Sequence, residues 1–203
     1  DDRRMKHLQR DMDNIHRAIL SLSAMVEEMI DRSSRALRER SSELANQVIE
    51  ADEEVDRREV AIEEEGLKML ALHQPVAIDL RRIVTVLKVN NDLERMADLA
   101  ANIAERAQNL VVHPEFPIPE TLDRMVDVAT NMVRGALDAF VNMDTQAARR
   151  ICRLDEVVDE YNRQVIDALW TGSHKKFIRT RFAASRPDAA LAASGWPEGG
   201  GRT

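Results

Sequence analysis

The chain repeats itself. Met25-Val26 recurs as Met125-Val126, and Ala36-Leu37 as Ala136-Leu137, at a separation of 100 residues. Past a turn the separation becomes 103: Val48 matches Ile151, Asp52 matches Asp155, Val55 matches Val158 and Asp56 matches Asp159. An insertion of three residues in the turn accounts for the change. A repeat of this kind implies a fold built from two similar units. Within the units the apolar residues advance by alternating threes and fours, as in Leu8, Met12, Ile15, Ile19, Leu22, Val26 and Met29. That spacing belongs to amphipathic helices packed in bundles. Scarce Gly (7), Pro (6) and aromatic residues (3%) agree with long helices rather than sheets.

Local signals place the helix ends. The first helix is predicted over Met5 to Arg40, and Ser41-Ser42 followed by Glu43 is a break with an N-cap for the second. The second runs over Ser42 to Leu72, with Leu44, Val48, Val55, Ile62 and Met69 towards the core. His73-Gln74-Pro75 is the next break, and Pro75 is expected to open a third helix that runs to Val111. Pro114, Pro117 and Pro119 then forbid a helix, so the boundary between halves falls in Val111 to Glu120. A fourth helix is predicted over Glu120 to Asn142. A turn at Met143-Asp144-Thr145 leads to a fifth helix, through Ala148 and Ile151 to Trp170. The units are therefore 1–112, 113–172 and a tail, 173–203, expected to be irregular and poorly ordered from Arg186.

The third helix carries the chemistry. Its stretch LRRIVTVLKVNNDLERMADLAANIAE gives one line through Leu80, Val84, Leu87, Asn91, Glu94, Asp98, Ala101 and Glu105, apolar at first and acidic later. The adjacent line, Val89, Leu93, Met96, Ala100, Ile103, Ala107 and Leu110, is apolar throughout, so Glu94 and Asp98 sit beside a core stripe. Three acid pairs share one spacing: Asp52 with Asp56, Glu94 with Asp98, and Asp155 with Asp159. At i and i+4 both side chains lie on one helix face, where two like charges are unfavourable unless something answers them. Asp52 and Glu94 lie at similar distances from the break at residues 73–75, so antiparallel helices bring them to one height. Four carboxylates across one groove suit a hard cation, which takes oxygen ligands. A solvated acidic face is the competing reading.

Other features exclude more than they assign. A net charge of −7 and a pI near 5.3 argue against a general nucleic-acid binder and favour cationic partners. The single cysteine, Cys152, permits no intrachain disulfide and reads as a small core residue in a reducing cytosol. The N-terminus has no apolar signal region, and no apolar run approaches the length of a membrane span. No Glu-x-x-His occurs, so the di-iron signature of ferritin-like bundles is missing. Nothing matches a P-loop, a nucleophile elbow or a Cys/His zinc set. Arg81, Arg82 and Arg95 could hold phosphate, although surface ion pairs are the commoner use.

The segments QPVAIDLRRIVTVLKVNNDLERMADLAANIAE (Gln74 to Glu105) and EADEEVDRREVAIEEE (Glu50 to Glu65) resemble the PhoU family of phosphate-uptake regulators. ADEEVD is echoed by LDEVVD in the second half. The resemblance covers about residues 5 to 170. It implies an all-α fold of two pseudo-repeated antiparallel three-helix bundles, each with Glu/Asp-x-x-x-Asp motifs on two helices. It further implies that Asp52, Asp56, Glu94 and Asp98 form one multinuclear site for iron, zinc, manganese, nickel or magnesium. Asp155 and Asp159 would be half of a second. Two departures stand out. The histidine that usually follows the motif's Asp is Leu99 here. The sixth helix has no counterpart: a repeat would start near residue 178 with acids near 197 and 201, where Pro197 and Gly201 stand. The second bundle is thus expected to lack its last helix, the C-terminus to be truncated or frame-altered, and helices four and five to expose a face that dimerisation would cover.

By resemblance the chain is a non-enzymatic, cytoplasmic, homodimeric negative regulator of phosphate uptake and phosphate-starvation signalling. Its partners would be the ATPase of a phosphate ABC transporter and a sensor histidine kinase, with membrane contact only through them and no nucleic acid. Two alternatives compete: a carboxylate-bridged metalloenzyme, which would need an open coordination position, and a metal-free coiled-coil adaptor.

Overall fold

The computed structural model describes the backbone of residues 2–113 and 118–184, and the side chains of 6–113 and 118–171. Among the described residues six helices follow in order: α1 Asp2–Glu39, α2 Ser42–His73, α3 Ala77–Val111, α4 Thr121–Val141, α5 Thr145–Cys152 and α6 Asp155–Ala184. Among the described residues there is no strand.

The first three helices form one antiparallel bundle in which each packs on the other two. Each presents a seam of alternating threes and fours. On α1 the seam is Met12, Ile15, Ile19, Leu22, Val26, Met29, Ser33 and Ala36, all buried. On α2 it is Ala45, Val48, Val55, Ile62, Gly66 and Met69, and the same period continues through positions 52 and 59. On α3 it is Ile83, Val86, Asn90, Leu93, Ala97, Ala100, Ala104 and Ala107. The α3 seam lies one residue away from the line expected from sequence: Leu80 and Val84 are exposed, while Ile83 and Val86 are fully buried. The acids of α3 therefore flank the seam and do not interrupt it.

The ends follow local chemistry. Ser41 caps α2, its hydroxyl accepting from Leu44 N–H at 3.3 Å. Arg40, at φ 54, donates its guanidinium to the carbonyls of Leu110 (2.8 Å) and His113 (3.1 Å), placing a cation on the C-terminal end of α3. Pro75 does not open α3. Val76 is extended (φ −123, ψ 157) and the helix starts at Ala77, so the proline ends the turn two residues earlier. At the base of the bundle His73 Nε2 lies 3.0 Å from Asp11 Oδ2, both side chains largely buried.

α4 runs antiparallel along α1. Arg38 pairs with Asp123 at 2.8 Å, Arg134 with Glu27 at 2.7 Å, and His16 meets Phe140 edge-on at 5.8 Å. Burial, opposed by Asp13 and reinforced by Arg82, holds the His16 imidazole below its ordinary pKa. The predicted fifth helix is in fact two. Arg153 and Leu154 form a turn, with N–H bonds from Arg153 to Arg150 and from Leu154 to Ile151 that tighten the last turn of α5. Helix α6 then passes beyond Trp170 to Ala184, through residues 173–184 that the sequence reading assigns to an irregular tail. The remainder of that tail, 185–203, lies outside the described residues. Cys152 is exposed at the end of α5 and is not the core residue expected. Both α5 and α6 pack on α4.

Candidate metal centre

The register between α2 and α3 decides which acids meet. Gln108 donates to Asn46 near one end, Asn90 donates to Glu59 midway, and Gly66 faces Leu87 towards the other. Helices paired this way bring Asp52 opposite Asp98 and Asp56 opposite Glu94. The electrostatics follow that pairing. Burial first, then the charges of Asp56, Asp98 and Glu105, pushes the Asp52 carboxyl above its ordinary range. Burial, followed by Asp98, Asp56, Glu59 and Asp52, does the same to Glu94. Glu94 thus feels both Asp52 and Asp56 across the groove, while Asp52 feels Asp98 and Glu105.

Asp52 and Glu94 are half-buried, whereas Asp56 and Asp98 are exposed. The difference follows from the seam. Asp52 occupies a seam position of α2, between Val48 and Val55, and Glu94 directly follows the buried Leu93. Opposite Asp52 the α3 seam is alanine: Ala97, Ala100 and Ala104 leave room beside the carboxylate. The donor set is all carboxylate, and mutual repulsion is the property a hard cation relieves. In that respect the residues fit such an ion. Among the described residues, however, no three Asp, Glu, His or Cys side chains converge as a ligand set.

Asp155 and Asp159 are brought together with nothing comparable. Both are exposed on α6. Among the described residues no third helix lies against α4 and α6 as α3 lies against α1 and α2.

Two residues were missed by the sequence reading. Asn90 is fully buried on the α3 seam; its Nδ2 donates to the Glu59 carbonyl (2.9 Å) and to Glu59 Oε1 (3.0 Å), while Oδ1 has no hydrogen-bond partner among the described residues. Glu59 occupies the next polar seam position of α2, and burial, then Glu63 and Asp56, raises its pKa. The signal was available: stepping α2 from Val48 by fours and threes lands on Asp52, Val55, Glu59 and Ile62. Arg95 is exposed on α3.

A family model described as "PhoU domain" matches residues 19–107 and again 122–185. The phosphate-specific transport system accessory protein PhoU homolog of Aquifex aeolicus is 35% identical over 164 residues, 81% of this chain and 74% of that one. The corresponding protein of Serratia marcescens is 34% identical, over 79% of this chain and 66% of its own length. The crystal structure of PhoU from Pseudomonas aeruginosa superposes with a TM-score of 0.76 at 30% identity, covering 82% of this chain and 80% of that one.

Proposed function

The chain belongs to the PhoU family, and on that premise we propose that it is an accessory protein of phosphate transport that represses phosphate uptake and phosphate-starvation signalling. It works by binding, not by turnover: its relatives are named as accessory or regulatory proteins. The partners are the ATPase of a phosphate ABC transporter and a cytoplasmic portion of a sensor histidine kinase. The protein is cytoplasmic and homodimeric, and reaches the membrane through those partners. Among the described residues no helix is long and apolar enough to cross a bilayer.

The observation that supports the metal part of this reading is the α2–α3 register, which sets Asp52 against Asp98 and Asp56 against Glu94 with Asp52 and Glu94 half-buried. In this reading those four acids hold iron, zinc, manganese or magnesium. A bound cation supplies positive charge that removes their repulsion and fixes the spacing of α2 and α3. The chain's own part is to supply oxygens in register, backed by the apolar seam that excludes water on the inner side. Binding requires the carboxylates to turn towards a common point. Asp155 and Asp159 are a half-site that needs ligands from elsewhere.

The test is co-purification of the chain with the transporter ATPase and with the kinase's cytoplasmic domain, alongside elemental analysis of untagged protein. Capture of one partner, weakened by Asp52→Asn with Glu94→Gln, is the expected result. Failure to bind either partner in the metal-loaded state would refute the reading. A second reading is a metal-free helical adaptor, in which the exposed Asp56 and Asp98 belong to a solvated acidic face. Metal-free protein that binds its partner as tightly as loaded protein would establish it. Nothing in the geometry favours the metalloenzyme.

A further inference from the structure

A cleft opens where the start of α3 meets the end of α4 and the start of α5. It encloses about 460 Å³, the size of a site for a few side chains. Ala139 forms its floor and Ala148 one flank; Phe140 and Met143 are its apolar walls; Arg81 and Arg82 stand at its rim. It is separate from the acidic face. Arg82 precedes Glu94 by twelve residues, about 18 Å along the α3 axis.

Two observations point to an occupant. The first is charge. The chain carries −7 overall, yet two guanidiniums line this cleft with little to answer them. Arg81 makes no ion pair among the described residues, and the carboxylate nearest Arg82, on Asp79, lies at 3.8 Å. Asp144, an acid on the same lining, is already engaged: it caps α5 by accepting from Gln146 N–H and Ala147 N–H, each at 2.9 Å. The second is Met143. It is 62% exposed in the turn that ends α4, where its φ of 53 matches that of Arg40 at the end of α1 and belongs to the helix stop. The turn thus presents a long, adaptable apolar side chain to solvent at the mouth of an apolar hole.

A small-residue floor between larger walls accepts one bulky side chain, as a hole accepts a knob. Guanidiniums at the rim accept a carboxylate in bidentate fashion. We propose that this cleft docks an amphipathic helix of a partner protein, one that offers a bulky apolar side chain with an acidic residue about one turn away. The charge balance selects an acidic helix over a basic one, and the alanine floor selects a side-chain anchor over a flat contact.

The test is a display selection of helical peptides against the full chain, counter-selected on Arg81→Glu with Arg82→Glu. The peptides retained should pair Leu, Phe or Met with Asp or Glu at i±3 or i±4. Their affinity should fall at least about tenfold on that double variant and on Ala148→Trp, which fills the cleft from an exposed position. It should also weaken as salt is raised. Circular dichroism confirms that the surface variants fold. Basic consensus peptides, equal binding to the variants, or no enrichment would overturn the proposal. So would binding of phosphatidylglycerol vesicles that needs both arginines while no peptide is selected, which would make the occupant a lipid surface.

Discussion

The two halves of this molecule carry one pattern and reach two outcomes. In the first half Leu22 is 0% exposed; in the second the same residue at the equivalent place, Leu122, is only half-buried. Val26 and Val126 differ in the same way, as do Val55 and Val158. The helices themselves do not account for this, since the residues match. The third neighbour does: α3 closes the groove between α1 and α2, and among the described residues nothing closes the groove between α4 and α6. Continuity differs too. α2 runs unbroken through Glu50 and Ala51, whereas its counterpart turns at Arg153 and Leu154. The acids follow the same rule. Asp52 is half-buried beside facing carboxylates, while Asp155 is exposed. A Glu/Asp-x-x-x-Asp spacing creates the possibility of a site, and a second helix at the right height creates the field.

The comparison is tested most severely by matched truncations. Leu22→Ala should cost about 2–5 kcal/mol, because it removes buried methyl groups and leaves a cavity in a closed bundle. Leu122→Ala should cost about 1 kcal/mol, since its surroundings already admit water. Chemical denaturation of both variants measures the difference. Equal losses would mean that the α4–α6 groove is filled in solution, which is the outcome expected if a second copy covers it.

How much of this could be read from sequence differs between the halves as well. The α1 seam was legible residue by residue, because every position from Met12 to Met29 is apolar. On α3 the seam was displaced by one residue. Its true line contains Asn90 and a run of alanines, which weigh little as hydrophobic signals, while the flanking Leu80 and Val84 weigh more. The acid pairs and their matched height came from spacing alone. Glu59 lies on the α2 period and was open to the same reading, but its pairing with Asn90 was not, because that depends on the α2–α3 register, which only the packed helices define. The break at Arg153 was invisible for a related reason: the apolar period of the segment continues through Ile151 and Val158 without interruption. Residue type argues for a buried Cys152, but it follows the seam position Ile151 and is exposed, as its counterpart Ile49 beside Val48 is only half-buried.

The next largest effect is expected from cations. If the α2–α3 acids bind one, a cation present at a hundredfold excess over its Kd should stabilise the fold by about 2.7 kcal/mol. Thermal unfolding with manganese, iron, zinc or magnesium added to stripped protein reads this out. Asp52→Asn with Glu94→Gln should abolish the shift. Asp155→Asn with Asp159→Asn should leave it intact, because among the described residues no acidic helix faces that pair. A shift that survives the first double variant and is lost in the second would invert the comparison.

A smaller effect, again confined to the first half, is expected from pH. Asp52, Glu59 and Glu94 have raised folded-state pKa values, so between the ordinary carboxylate range and those raised values the folded state binds more protons than the unfolded one. Stability of metal-free protein should therefore increase as pH falls from neutral towards the ordinary carboxylate range, near 4. Asp11 acts with the opposite sign and lower down. Its pKa is depressed, mainly by the hydrogen bond with His73, so its contribution is present above the ordinary value and disappears as pH falls through the depressed one. A melting-temperature profile with a maximum on the acid side of neutrality is the expected shape for metal-free protein. Neutralising Asp52, Glu59 and Glu94 together should flatten its rise, and a profile unchanged by those substitutions would detach the acids from the field assigned to them.

The smallest effect concerns how the halves are joined. Two ion pairs tie α4 to α1: Arg38 with Asp123, and Arg134 with Glu27, which accepts from Nε at 3.0 Å and from Nη2 at 2.7 Å. Both arginines are largely exposed, so each pair should contribute only about 0.2–1 kcal/mol and less at high salt. The apolar contact is the stronger tie. Leu137 belongs to the buried core of the first bundle, and Val133 and Phe140 pack against it. Arg38→Ala with Arg134→Ala should therefore lower stability by no more than about 2 kcal/mol and leave hydrogen exchange in α4 cooperative with α1. If that double variant instead lets α4 to α6 exchange freely while α1 to α3 stay protected, the apolar strip at Leu137 is insufficient to join them. The two halves would then differ in the presence of a third helix and also in whether they fold as one unit at all.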